Sequence, residues 1–245
     1  MCGRYIIKVD VAALSDFDIH APPEWLKVSY NVAPTHDVPV VRVAKGERQG
    51  ALLRWGLIPF FARGEQPKFS TINARVETIE TAASFKGAWG RGQRCVQICS
   101  GFYEWHIGAD GRKVPYFIHL DDQRTFGFAA LWDRSRKNDG SWVESCALIT
   151  MPANSLMYDI HNAGKHPHRM PAILRKEAWE AWLAGTLDDA RATLSQYPSE
   201  HMSAYRVSPR VNKPENDDER LIEPAGDSEE SATPPKDPSG QQSLL

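Results

Sequence analysis

Short runs of β-branched and aromatic residues, separated by turn signals, fill the first two-thirds of the chain. Residues 5–9 (YIIKV), 38–43 (VPVVRV), 51–58 (ALLRWGLI) and 95–107 (CVQICSGFYEWHI) are of this kind, as are 115–120 (PYFIHL), 125–132 (TFGFAALW) and 144–151 (ESCALITM). They predict strands, because branched and aromatic side chains fit a pleated, half-buried surface. Asp110-Gly111 and Asp139-Gly140 each stand between two such runs and predict hairpins, with loops longer than two residues. The helical period is rarer. Residues 176–184 (KEAWEAWLA) put Trp179, Trp182 and Leu183 on one face and stop at Gly185. Thr186 then caps a short helix that carries Asp188 and Asp189 in its first turn, with Pro198 beyond its end. From residue 225 onward Gly, Ser, Glu, Pro and Gln take over, and such a segment buries too little apolar area to offset its ordering. The pattern predicts an α+β fold: a single β-rich domain over residues 2–224 and a disordered acidic tail over 225–245.

Composition narrows the class. A chain of 245 residues that is 42% hydrophobic can build a real core. No apolar run reaches the ~18–20 residues that span a bilayer, and MCGRYIIKVD lacks the pattern of a secretory signal. A secreted, membrane-spanning or collagen-like protein is therefore not expected, and the four cysteines should be reduced thiols. The chain holds 29 basic and 31 acidic residues; one base and four acids fall in 225–245, leaving 28 against 27 in the body. Such a near-neutral body neither implies nor excludes a nucleic-acid partner.

Candidate chemistry begins at the second residue. If whatever precedes Cys2 is removed, a free α-amine stands two carbons from a thiol. The amine has a pKa of ~7.7–8.0, so about a tenth of it is neutral at pH 7, and the thiol is intrinsically nucleophilic. With an aldehyde this pair forms an imine that the thiol closes into a thiazolidine. With an amide or ester the thiolate attacks and the amine serves as base. A small residue at a translation start accounts for Cys2 equally well in isolation. The Gly-Arg-Tyr and the strand that follow favour chemistry, since glycine admits a ligand, arginine holds an anion and a strand anchors the terminus.

Three further groupings stand out. Glu104, within SGFYEWH, alternates with Phe102 and His106 on one strand face; a carboxylate among aromatics has a raised pKa suited to acid–base work, whereas an edge-strand charge facing solvent is the plainer reading. Asn73, Arg75 and Glu77 share a face if extended and can position a polar or phosphate-bearing ligand, or can line an exposed strand. His161, His166 and His168 crowd the run DIHNAGKHPHRMPAIL, but no ligand spacing surrounds them, so no metal is expected and one histidine acting as acid or base is favoured. Cys95 and Cys99, four apart on one strand face, read as buried apolar thiols.

These residues fall into a recognisable order. MCGRY, YNVAPT (30–35), RWGLIP (54–59), NARVET (73–78), GFYEWH (101–106), IHN…HRMPAIL (160–174) and VSPRVN (207–212) resemble the SRAP family of SOS-response-associated peptidases, which includes abasic-site shields. The resemblance covers residues 2–224 and implies a barrel-like mixed or antiparallel sheet core with a few flanking helices. It also implies that Cys2 crosslinks the ring-opened aldehyde of an abasic site in single-stranded DNA. On that pattern Asn73 orients the attack, Glu104 shuttles protons and His161 helps open the sugar ring, with His168 the rival for the last role because it abuts Arg169-Met170-Pro171. Arg4, Arg75 and Arg169 would meet phosphates, Trp105 and Trp55 would stack on or wedge against bases, and Asn31 and Pro34 would line the cleft. No cofactor is implied. A monomer is expected, in the bacterial cytoplasm at the nucleoid or replication forks. Competing readings are a thiol peptidase that removes residues ahead of Cys2, an amidotransferase of the N-terminal-nucleophile class (disfavoured, as the chain has no Asn-Gly dipeptide) and a non-covalent single-stranded DNA-binding module. Finally, Gln241–Leu245 (QQSLL) looks like the short peptides that dock on the bacterial sliding clamp, or is simply a polar ending.

Overall fold

A computed structural model describes residues 2–9, 17, 19, 25 and 28–226. The tail beyond 226, with its expected disorder and its clamp-like ending Gln241–Leu245, lies outside the described residues.

Every strand predicted from an apolar run is present. In chain order the strands are β1 (Arg4–Lys8), β2 (Val28–Val32), β3 (Asp37–Ala44), β4 (Glu47–Trp55), β5 (Asn73–Arg75), β6 (Arg94–Cys99) and β7 (Gly101–Ile107). They continue with β8 (Lys113–Leu120), β9 (Phe126–Arg136), β10 (Trp142–Pro152), β11 (Arg169–Pro171), β12 (Ile173–Leu174) and β13 (Met202–Arg206). The run 95–107 is one apolar stretch but two strands in different sheets, β6 and β7. The chain changes sheet at Gly101, where φ is 156° and a Cβ would lie 2.3 Å from Phe117 Cζ and 3.1 Å from the Ile118 carbonyl oxygen. Only glycine fits that crossing. Both Asp-Gly turns close hairpins, over residues 108–112 and 137–141, through Gly108 N–H to the Arg112 carbonyl and Lys137 N–H to the Ser141 carbonyl.

Strands β10, β4, β3, β6 and β9 pair in that order, and β9 returns to β10, closing a barrel. All its pairings are antiparallel except β10 with β4, so the barrel is mixed. β5 joins β10 in parallel and β11 joins it antiparallel, while β12 edges β9. The second sheet is antiparallel, in the order β13-β8-β7-β1-β2. Its Tyr5, Ile7, Phe102 and Ile118 join the barrel core, and its other face packs Ile6, Tyr103 and Phe117 beneath Val207, Val211 and Leu221. β1 is thus buried on both faces and flanked on both edges.

Residues 176–184 form a 3-10 turn (Lys176–Ala178) running into the helix Trp179–Ala184, with Trp179, Trp182 and Leu183 buried. Thr186 caps the helix Leu187–Thr193 in a reciprocal box with Asp189. Two further helices, Lys86–Gly90 and Ser155–Ile160, are too short at five and six residues to display a helical repeat. Among the described residues no helix is long and apolar enough to cross a membrane.

Trp55 ties the two layers together. Its ring is fully buried, meets Tyr5 edge-on at 5.1 Å, and donates its Nε1–H to the Ile72 carbonyl at 3.0 Å. Trp55→Ala should therefore lower the unfolding free energy by roughly 3–5 kcal/mol in urea denaturation; a loss below 1 kcal/mol would contradict this placement.

Candidate functional site

Cys2 precedes β1 and inherits its rigidity. The register Arg4↔Tyr103 brings the next residue of β7, Glu104, beside the start of the chain. Asn73 opens β5 opposite Leu148 of β10 and donates its Nδ2–H to the Cys2 carbonyl at 2.9 Å. His161 caps the C-terminus of the helix Ser155–Ile160, whose N-cap Asn154 accepts from Met157 N–H and donates to the Tyr197 carbonyl at 2.7 Å. Cys2, Asn73, Glu104 and His161 come from four separate segments, and all are buried. The charge of Glu104 acts on Cys2, and that of the amino terminus acts on both Glu104 and His161.

Burial sets their protonation. It pushes Glu104 up to about 7, against the lowering pull of the amino terminus, so the carboxyl can give or take a proton at neutral pH. It pushes the Cys2 thiol well above its ordinary value, with the Glu104 charge adding to the effect. It lowers His161 to about 4, with the amino terminus, His168 and Arg169 contributing, so the ring is neutral at pH 7. The Arg169 backbone N–H donates to His161 Nδ1 at 3.1 Å, which puts the ring's one proton on Nε2. Asn73 Oδ1 is buried without a hydrogen-bond partner among the described residues, an acceptor site that an amine or hydroxyl can fill. The groups therefore combine a protonated thiol, a carboxyl able to give or take a proton, and a neutral imidazole whose proton is on Nε2. Among the described residues no group of His, Cys, Asp and Glu is arranged to hold a metal ion.

The two rival histidines lie in different surroundings. His168 adopts φ 56°, stacks on Tyr158 at 3.8 Å between ring centroids and engages the Tyr158 carbonyl through Nδ1. His161 is the one buried within the field of the amino terminus.

Of the residues expected on DNA, Arg75, Trp105 and Pro34 are half-buried, and Trp105 donates Nε1–H to Asn212 Oδ1 at 2.8 Å. Trp55 is a correction: a fully buried ring with its N–H bonded inside the core cannot stack on a base. Asn31 is committed internally, its Nδ2 donating to the carbonyls of Val211, Lys213 and Asn216 and its Oδ1 accepting from Arg4. Arg4 is held there and on the Val211 carbonyl. Arg169 is buried and forks onto Glu77. Phe60 and Phe61, on the 3-10 turn Phe60–Ala62, are exposed, and the Arg91 guanidinium lies 4.7 Å over the Phe60 ring.

Cys2, just ahead of a strand buried on both faces, lies in the interior with Asn73 bonded to its carbonyl. The chain belongs to the SOS response associated peptidase (SRAP) family, whose sequence profile matches residues 1–214. It is 34% identical over 230 residues to the abasic site processing protein YoqW of Bacillus subtilis, covering 91% of this chain and 99% of that protein. It is 30% identical to the abasic site processing protein HMCES of Pongo abelii, covering 82% of this chain and 68% of that protein. A crystal structure of a Bacteroides thetaiotaomicron protein superposes with a TM-score of 0.81 at 27% identity, covering 91% of this chain and all of that one. A Bordetella bronchiseptica protein reaches 0.73 at 30% identity, covering 84% of this chain and all of that one.

The raised Glu104 has a measurable consequence. Folded, it keeps its proton up to about pH 7; unfolded, only to about 4.5. Between those values the folded state binds more protons, so stability falls as pH rises through the window. Glu104→Gln removes this dependence. The melting temperature of the wild type should drop more between pH 5 and 8 than that of the variant, by several degrees at ~2–4 °C per kcal/mol. Parallel pH profiles in calorimetry would show that Glu104 titrates normally.

Proposed function

We propose that this protein processes abasic sites in single-stranded DNA by capturing the ring-opened aldehyde on Cys2 as a thiazolidine. The observation that carries the reading is the burial of Cys2 with Asn73 bonded to its carbonyl and the Glu104 charge acting on its thiol, together with the names of its relatives. The amine of Cys2, freed by removal of what precedes it, adds to the C1′ aldehyde to give a carbinolamine. Glu104 in its protonated form sends the hydroxyl out as water, leaving an iminium ion and the Glu104 carboxylate. The thiol sulfur then bonds to the iminium carbon as its proton passes to that carboxylate, which restores protonated Glu104. One water is lost in total. Because the thiol is held protonated, the amine acts first and sulfur closes the ring. Asn73 Oδ1 accepts from the amine and aims its lone pair, and His161 donates Nε2–H to the ring oxygen that departs when the sugar opens.

The same groups support self-processing, in which the Cys2 thiol attacks the carbonyl ahead of it and releases the preceding residue by hydrolysis. That step exposes the amine the crosslink needs. DNA contact would fall to the half-buried Arg75 and Trp105, a guanidinium and an aromatic ring that grip a strand without reading its bases. We place the protein as a monomer in the cytoplasm, where single-stranded DNA is exposed at forks. The clamp-docking reading of Gln241–Leu245 rests on sequence alone; a peptide of residues 236–245 should bind the bacterial clamp in the micromolar range, and no binding there would end it.

The test is an intact-mass and denaturing-gel assay with single-stranded DNA carrying one abasic site. Wild type should give a denaturant-stable adduct weighing protein from Cys2 plus DNA minus one water, absent with Cys2→Ala and with undamaged DNA. His161→Gln should slow adduct formation by ~10²–10⁴-fold, whereas His168→Gln should stay within a few-fold. No adduct from a protein shown to start at Cys2 would overturn the reading.

A further inference from the structure

The NARVET and HRMPAIL segments are far apart in sequence, yet an ion pair joins them. Arg169 Nη1 and Nη2 both donate to the Glu77 carboxylate, the second at 3.0 Å, and Nη2 also donates to the Thr150 carbonyl at 2.7 Å. The same carbonyl accepts from Val76 N–H at 2.9 Å. Thr150 lies on β10, Val76 directly follows β5, and Arg169 opens β11. One guanidinium therefore clamps together the ends of the strand that bears Asn73 and the strand that follows the histidine loop.

What the clamp holds is a backbone direction. Arg169 N–H points at His161 Nδ1, and the His168 N–H points at the His161 carbonyl at 2.6 Å. β11 has three residues and starts right after the left-handed His168, so its ladder alone is a weak anchor. The side-chain fork supplies charge-assisted bonds at the residue whose N–H selects the imidazole tautomer. Partial burial would raise the Glu77 pKa, but the Arg169 hydrogen bonds hold it below the ordinary carboxylate range, so the pair is ionised at neutral pH.

We infer that Glu77 and Arg169 are positioning residues for the crosslinking reaction: their ion pair holds the Arg169 N–H on His161 Nδ1 and so keeps the Nε2–H turned to the substrate. The inference rests on the aldehyde-capture reading and assigns Arg169 a different task from the phosphate contact that the family resemblance implies.

The two tasks respond oppositely to Glu77→Gln. This near-isosteric change on a half-exposed side chain removes the charge that holds Arg169. If the pair positions His161, the single-turnover crosslinking rate at saturating abasic DNA falls on the order of tenfold, as expected when a supporting partner is lost. Affinity for undamaged single-stranded DNA stays within twofold, and Glu77→Asp, which keeps the charge, recovers part of the rate. Imidazole nitrogen chemical shifts of the free protein should show a pure Nε2–H tautomer at His161 in the wild type and a mixture in Glu77→Gln. Tighter DNA binding with an unchanged rate would show instead that the freed guanidinium reaches phosphate, and would overturn the inference. An unchanged tautomer would do the same. Because the tautomer is read without DNA, failure of wild type to crosslink at all would count against the proposed function and not against this arrangement.

Discussion

The site depends on the burial of β1. A chain terminus normally frays, since ordering each residue costs ~1–2 kcal/mol of backbone entropy. Here Tyr5, Ile6 and Ile7 are all buried, alternating between the barrel core and the smaller cluster beneath Val211 and Leu221. At ~1.5–3 kcal/mol for each large side chain, that burial offsets the ordering of the residues ahead of it. Strands β7 and β2 satisfy both edges of β1, and the Asn73 bond to the Cys2 carbonyl carries the order one step further. A reactive group at the second residue is thereby held as firmly as one in the middle of a domain.

The same burial determines what the site can do. Removing Glu104, Cys2 and His161 from water disfavours each charged form, so the carboxyl is raised, the thiol stays protonated and the imidazole stays neutral. Neutral groups of this kind suit proton transfer and suit a thiolate less well, because the amino terminus and the hydrogen bond to the Arg4 backbone do not offset the desolvation of the thiol. Arg4 and Arg169 are held by internal partners, whereas Arg75, on β5 with Asn73, is half-buried.

Much of this was legible from the residues. Hydrophobic alternation found β1, β3, β4 and β6 to β10, because long strands with one or two buried faces print their period onto the sequence. Thr186 and Asp189 announced their helix through capping chemistry, which acts over three residues. Strands β5, β11 and β12 escaped because two or three residues cannot show a period, and β2 and β13, as long as β1, escaped because polar residues interrupt their apolar runs. Trp55 misled for a different reason: an indole beside an arginine and a glycine looks the same whether it ends in the core or on a surface.

Local chemistry within the chain determined the strand-rich class, the hairpins, the caps and the reactive potential of a cysteine beside its own amine, since each depends on residues within a few positions of one another. The family motifs pointed to Cys2, Asn73, Glu104 and His161 as a set. Only the tertiary structure decided that these four are all buried, that His161 is buried where His168 is not, and that Arg169 is bound to Glu77 across 92 positions. Those outcomes depend on which strands close the barrel and where Gly101 passes the chain between sheets. Burial and long-range register are properties of the whole fold, and no window of sequence contains them.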